Sequence, residues 1–139
     1  ALPCDVFLRQ AYTLNHFKFD DDKVFGNASL AGAPKHVYQA ELQYENEKGW
    51  YVGPNVEWVP SKFPVDHRNT FYADPYTVFG FKGGFRMAKG LSVFVDVRNI
   101  TDRLHAASTG VVANANGADS VQFLPGDGRS VFAGLDWNF

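Results

Sequence analysis

The chain has 139 residues, long enough for one domain that buries a core. Thirteen Lys and Arg against fifteen Asp and Glu give a formal net charge of −2, which leaves no cationic footprint and excludes nucleic acid as a partner. Aromatic residues make up 16%, with 13 Gly and a single Met, a mixture that suits strands and turns better than helices.

No run of about 18 apolar residues occurs, so a transmembrane helix is not expected. Strands that alternate apolar and polar residues average out, and the mean hydropathy of −0.23 is compatible with transmembrane strands. The opening "ALPCDVFLRQ" has neither an initiator Met nor a charged leader with an apolar stretch behind it, so the chain reads as a mature or excised piece. Cys4 has no second Cys to pair with and gives no disulfide framework.

Six segments with period-two alternation follow one another between turn residues. In the first, "VFLRQAYTLNHFKF", Val6, Leu8, Tyr12 and Leu14 hold one phase while Phe17 and Phe19 hold the other, which predicts a bulge or strand end near His16. The second, "HVYQAELQYENEK", sets Tyr38, Ala40, Leu42 and Tyr44 against Val37, Gln39, Glu41, Gln43 and Glu45, one dry face and one wet. The third, "GWYVGPNVEWVP", puts Trp50, Val52, Pro54, Val56 and Trp58 opposite Tyr51, Gly53, Asn55 and Glu57; Pro54 cannot donate to a ladder. The fourth, "YTVFGFKGGFRMAK", opposes Thr77, Phe79, Phe81, Gly83, Phe85 and Met87 to Val78, Gly80, Lys82, Gly84 and Arg86. The fifth, "GLSVFVDVRN", opposes Leu91, Val93, Val95 and Val97 to Ser92, Phe94, Asp96 and Arg98. The sixth, "GRSVFAGLDWNF", keeps Val131, Ala133, Leu135, Trp137 and Phe139 in phase up to the last residue.

The joints alternate in length. Long polar stretches lie at about 20–35, 61–75 and 104–127, and tight turns near "NEKG" and "AKG". Antiparallel strands put successive joints at opposite ends, so the long loops share one edge and the tight turns the other.

Alternation alone also fits a soluble β-sandwich, which stands as the alternative. Three further features favour a membrane barrel. Aromatics bracket the dry faces, Trp50 with Trp58, Tyr38 with Tyr44 and Phe79 with Phe85, as interfacial girdles require. Trp50 and Trp58 lie roughly 26 Å apart along a strand, or about 20 Å in height once tilted, close to the apolar band of about 25 Å. The opposite faces mix both charge signs in Glu41, Glu45, Glu57, Lys82, Arg86, Asp96 and Arg98, and loop length is asymmetric. On this reading the tight turns are periplasmic, the long loops external, and the sixth strand ends in an aromatic anchor, Phe139.

Sites for covalent chemistry are not evident. The four His residues, His16, His36, His67 and His105, share no metal-ligand spacing, and Asp20, Asp21 and Asp22 read as a solvated turn rather than a cation site. "FKGGF" and "PGDGR" do not link a strand to a helix, so phosphate cradling is not expected; Gly83 and Gly84 mark a bend or close backbone approach. A nucleophile elbow is missing too, so neither catalytic residues nor a cofactor are expected. In the second external loop, "HRNTFYAD" brings together His67, Arg68, Asn69 and Tyr72, which read as a plain polar loop or as candidates for touching an anionic ligand.

Three stretches, "GNASLAGAPKH", "LSVFVDVRNITDRLH" and "LPGDGRSVFAGLDWNF", resemble the C-terminal part of TonB-dependent outer-membrane receptors, the plugged, about 22-stranded importers of Gram-negative bacteria. They are similar to an external loop entering a descending strand, to the penultimate strand, and to the final loop and strand. Asn99 and Asp102 match the recurrent Asn and Asp of the second motif, and Pro125, Gly126, Arg129 and Phe139 match the third. Leu104 and His105 stand where that family carries an aromatic.

The resemblance covers residues from about 12 to 139 and implies an all-β, antiparallel up-and-down meander of about six strands. Residues 1–139 would be the C-terminal segment of the transmembrane barrel, with plug and N-terminal strands absent. It implies a receptor of the bacterial outer membrane importing a scarce ligand, a ferric siderophore, and no enzyme. Implied partners are outer-membrane lipid, the remaining barrel and plug, a TonB-type energy transducer acting through that plug, and the barrel-assembly machinery. Phe139, with Trp137 and Leu135, would form the assembly signal.

Overall fold

The computed structural model describes residues 4–87, 90–119 and 122–138. Six long strands form one antiparallel sheet: β1 (Cys4–Leu14), β2 (His36–Asn46), β3 (Trp50–Val59), β6 (Tyr76–Arg86), β7 (Leu91–Arg98) and β10 (Ser130–Trp137). Each strand pairs with the next long strand in the chain, an up-and-down meander. Two loops build small hairpins of their own, β4 (Phe63–Pro64) with β5 (Tyr72–Ala73) and β8 (Ala106–Thr109) with β9 (Phe123–Pro125). Residues 15–35, 60–75 and 99–129 thus connect strands at one end, and short turns after Asn46 and Arg86 connect them at the other.

The register keeps every dry residue on one side. Tyr12 pairs with Tyr38 and Tyr38 with Trp58; Val52 pairs with Gly83, Gly83 with Val95, and Val95 with Ala133. Because side chains alternate strictly in a strand, these pairings fix the whole apolar face. That face is open: Trp50 is 57% exposed and Leu135 75%, and no second sheet covers it among the described residues. A sandwich would bury these side chains against a second sheet, and here they stand uncovered as one continuous apolar surface. No helix is long and apolar enough to cross a membrane, which says nothing of strands.

Two local features explain departures from regularity. β1 ends at Leu14, so Phe17 and Phe19 change phase because they belong to the loop. The β2–β3 ladder runs from Tyr38↔Trp58 to Glu41↔Asn55, skips Gly53 and Pro54, and resumes at Tyr44↔Val52 in unchanged register. Pro54 therefore removes a donor without creating a bulge. Beside it the backbones approach so closely that a Cβ on Gly53 would lie 1.8 Å from the Leu42 carbonyl oxygen.

The compact core lies at the long-loop end. Val59, Phe63, Val65 and Ala73 are buried there, with Val37, Phe71, Tyr76 and Phe123 packed against them. Val37, Val59 and Tyr76 point to the polar side of the sheet, so the 60–75 loop folds over that side.

Candidate functional site

The polar side of the sheet and the roof of loops above it form the candidate site. On the polar side the charges predicted from the alternation meet. Arg9 Nη1 lies 2.9 Å from Glu41 Oε1, and Lys82 Nζ lies 3.2 Å from Glu41 Oε2, a bridge spanning β1 to β6. Arg9 also donates to Gln43 Oε1 at 2.7 Å, and Gln43 in turn donates to Glu45. Arg86 pairs with Glu45 at 3.1 Å and lies over the Tyr51 ring, 4.5 Å from its centroid. Arg98 pairs with Asp96 at 2.9 Å and covers Phe132. Glu57 accepts from Gln39 at 2.6 Å and from the Tyr76 hydroxyl at 2.8 Å. A cavity of about 520 Å³ opens over this surface, lined by Glu41, Glu57, Lys82, Asp96 and Arg98 among others.

Two glycines lie beside these charges. Gly53, on β3, has no side chain between Glu41 and Lys82, and it is the register partner of Lys82. Gly84 lies under the Tyr51 ring, where an added Cβ would come within 2.4 Å of the phenol oxygen and of the Val93 carbonyl. The "FKGGF" stretch thus serves close approach, by Gly84.

Above the sheet, residues 66–69 join three loops. Asp66 is fully buried, 0% exposed. Its Oδ1 accepts the amides of Thr70 at 2.8 Å and Phe71 at 3.0 Å; its Oδ2 accepts the Thr70 hydroxyl at 2.9 Å and the Ala115 amide at 3.3 Å. Burial pushes this carboxyl up, but those hydrogen bonds outweigh it and hold it below the usual value of 3.8. The amides of His67 and Arg68 donate to the carbonyls of Val112 and Ala113, lacing the 60–75 loop to the 99–129 loop.

The four residues singled out as ligand candidates fall in two roles here. The His67 ring packs on Phe19 and Phe25, with centroids 5.1 and 5.4 Å away. Asn69, at φ 54°, binds both backbone groups of Ser29. Arg68 is exposed. Tyr72 is exposed too, carries Lys62 over its ring at 4.9 Å, and with Asn69 lines a cleft of about 300 Å³ between the 15–35 and 60–75 loops. His16, Lys18, Lys35 and Lys62 line the same cleft, and its lining includes no carboxylate. Lys18, Lys35 and Lys62 form no ion pair among the described residues.

The Asn and Asp of the motif close the neck of the third long loop. Asn99 is 2% exposed; its Nδ2 donates to the carbonyls of Arg103 and Asp127, and its Oδ1 accepts the Arg103 amide. Asp102 Oδ1 accepts the Arg129 amide at 2.8 Å. The Gly126 amide donates to the His105 carbonyl, and an added Cβ there would strike the His105 ring. That ring lies 4.8 Å from Tyr76, while Leu104 is 82% exposed. Pro125 ends β9.

On the apolar side, Tyr12, Tyr38 and Trp58 stand side by side toward the long loops, and Phe79 is paired with Val56 nearby. Toward the short turns, Trp50 and Phe85 stack at 4.6 Å, near Tyr44 and Trp137. Leu135 and Trp137 are exposed on β10; Phe139 lies outside the described residues.

Asp66, Arg9 and the unpaired lysines escape notice in the sequence. Arg9 has a signal, since its phase is that of the wet face and register sets it opposite Glu41. Asp66 gives little, because Thr70 lies four residues on in the same loop but Ala115 becomes a neighbour only when two loops fold together.

A meander with its greasy side outward and a self-paired polar side within defines a segment of a transmembrane β-barrel wall. The chain belongs to the TonB-dependent receptor-like β-barrel family, whose barrel profile matches residues 5–100. That is a family of outer-membrane receptors and transporters. Among solved structures the chain is similar to the ferric-catecholate import receptor Fiu from E. coli, at 20% identity and a TM-score of 0.67, covering 100% of this chain and 19% of that one. It is similar also to the ferric enterobactin receptor PfeA from Pseudomonas aeruginosa in complex with enterobactin, at 20% identity and a TM-score of 0.69, covering 100% and 21%. The chain thus spans about a fifth of the solved structures it matches. No curated protein matches its sequence.

Proposed function

We propose that residues 1–139 are the C-terminal wall of an outer-membrane receptor that imports a ferric siderophore with energy from TonB. The observation that carries this reading is the exposed apolar face set back to back with a polar face whose charges pair among themselves. Acyl chains suit the first and a water-filled, plugged lumen suits the second. The remaining barrel strands, the plug and, through it, the TonB-type transducer are the partners of this reading. Phe139, with Trp137 and Leu135, forms the signal read by the barrel-assembly machinery.

The cargo is an anionic iron complex, supported by the cleft in which Lys18, Lys35 and Lys62 lack carboxylate partners and Tyr72 offers an aromatic hydroxyl. Clefts lined by one sign of charge focus the field and concentrate an oppositely charged ligand. His67 and Arg68 precede Asn69 in the same loop and do not line the cleft. The test is membrane fractionation followed by import of radiolabelled ferric tricatecholate into iron-starved cells. Detergent-dependent extraction and import lost on deletion of the receptor gene are expected; a detergent-free soluble protein overturns the reading.

A further inference from the structure

Two groups of cations differ in their partners. All four on the polar side of the described strands, Arg9, Lys82, Arg86 and Arg98, lie within 3.2 Å of a carboxylate of the same chain. The three in the cleft between the loops, Lys18, Lys35 and Lys62, form no ion pair among the described residues, and no carboxylate lines the cleft. One carboxylate, Glu41, serves two of the four: Oε1 takes Arg9 from the strand on one side, and Oε2 takes Lys82 from two strands away on the other. On the intervening strand Gly53 is the register partner of Lys82, and any Cβ there would collide with the Leu42 carbonyl. The bridge lines the cavity on the polar side.

Pairing changes what the wall does to a passing anion. An isolated cation acts over about a Debye length, whereas a cation with its carboxylate is a dipole whose field fades within a few ångströms. We propose that Glu41 is a specificity-determining residue that lowers the joint charge of Arg9 and Lys82 from +2 to +1, beside Glu57 in the same cavity, so that an anionic cargo is held by the unpaired lysines at the mouth rather than by the wall beneath. This inference rests on the anionic-cargo reading above. Charge asymmetry between mouth and wall then gives capture followed by passage, with no need for a second binding step along the lumen.

The test uses the intact receptor in iron-starved cells and radiolabelled ferric tricatecholate, with binding read on chilled, de-energised cells and import read on energised ones. Glu41→Gln raises the charge of the Arg9–Glu41–Lys82 cluster from +1 to +2. Binding is expected to hold or tighten while import slows roughly threefold, the factor for two exposed charge contacts at the modest end of the ion-pair range. Raised salt should relieve the slowing. The triple variant E41Q/R9Q/K82Q removes both cations and the carboxylate together and should import at the wild-type rate, which separates the charge effect from a merely structural role. Import by E41Q equal to wild type, or a triple variant no faster than E41Q, overturns the inference while the cargo reading stands. A wild-type receptor that neither binds nor imports the anionic complex overturns the cargo reading and this inference together.

Discussion

Asn69 grips Ser29, 40 residues away, by both backbone groups: Oδ1 accepts the Ser29 amide and Nδ2 donates to the Ser29 carbonyl, each at 2.8 Å. Nδ2 also reaches the Asp66 carbonyl at 3.1 Å, so one side chain ties the 15–35 loop to the 60–75 loop. Its φ of 54° is a conformation that Asn tolerates and Ala resists. Asn69→Ala therefore loses about 1 kcal/mol for each hydrogen bond. Amide exchange at Ser29 should quicken roughly tenfold or more while β2 and β3 exchange as before; unchanged exchange at Ser29 would show that the loops are held by other contacts.

Asp66 makes the roof sensitive to acid. Its carboxyl titrates below 3.8 in the folded chain, so folding favours the charged form. The stabilisation is fully present above the ordinary carboxylate value and is lost as pH falls through the lowered one. Acid should loosen residues 65–71 and 112–117 before the long strands, seen by pulsed hydrogen exchange. Asp66→Asn should loosen the same residues at neutral pH by about 1–3 kcal/mol, because an amide NH₂ would face the Thr70 hydroxyl or the Ala115 amide, and should flatten the acid response.

Gly53 has no room for a methyl group. With the Leu42 carbonyl oxygen 1.8 Å from an added Cβ, Gly53→Ala must push β2 and β3 apart at the point where Pro54 already interrupts the ladder. The assembled barrel should become less heat-resistant in electrophoresis, with the folded band lost at a lower temperature. Gly83→Ala is the control, since its Cβ would meet only ordinary contacts at 3.5 Å; equal behaviour of the two variants would contradict the close approach.

The sheet was legible because alternation records which side a residue faces, and register then follows from keeping Tyr38, Trp58, Val52 and Val95 on one side. Loop lengths placed the ends. The roof was not legible, since Asn69 and Ser29, or Asp66 and Ala115, are brought together by folds of irregular chain that leave no periodic trace. Asn99 and Asp102 could be matched to a motif, but their work as a clasp on Arg103, Asp127 and Arg129 appears only in three dimensions. The charged residues of the wet face were readable as such; that Glu41 serves two cations depends on side-chain reach across β3, which no one-dimensional pattern encodes.

Leu42 and Gln39 lie on one strand with opposite outlooks, and they separate a membrane wall from any water-soluble sheet. Leu42 sits on the apolar side between Tyr38 and Tyr44, near the middle of the span, and Gln39 lies on the polar side with its amide on Glu57. A cation facing lipid at mid-depth costs about 2–4 kcal/mol in a transmembrane barrel. Leu42→Arg should therefore lower the denaturant midpoint of the receptor in liposomes by an amount matching that cost. Gln39→Arg gains Glu57 as a partner and should change it little. In a sheet whose apolar face met water the difference would vanish, since Leu42, already 45% exposed, would lose little on becoming Arg; equal midpoints for the two variants would count against a lipid-facing side.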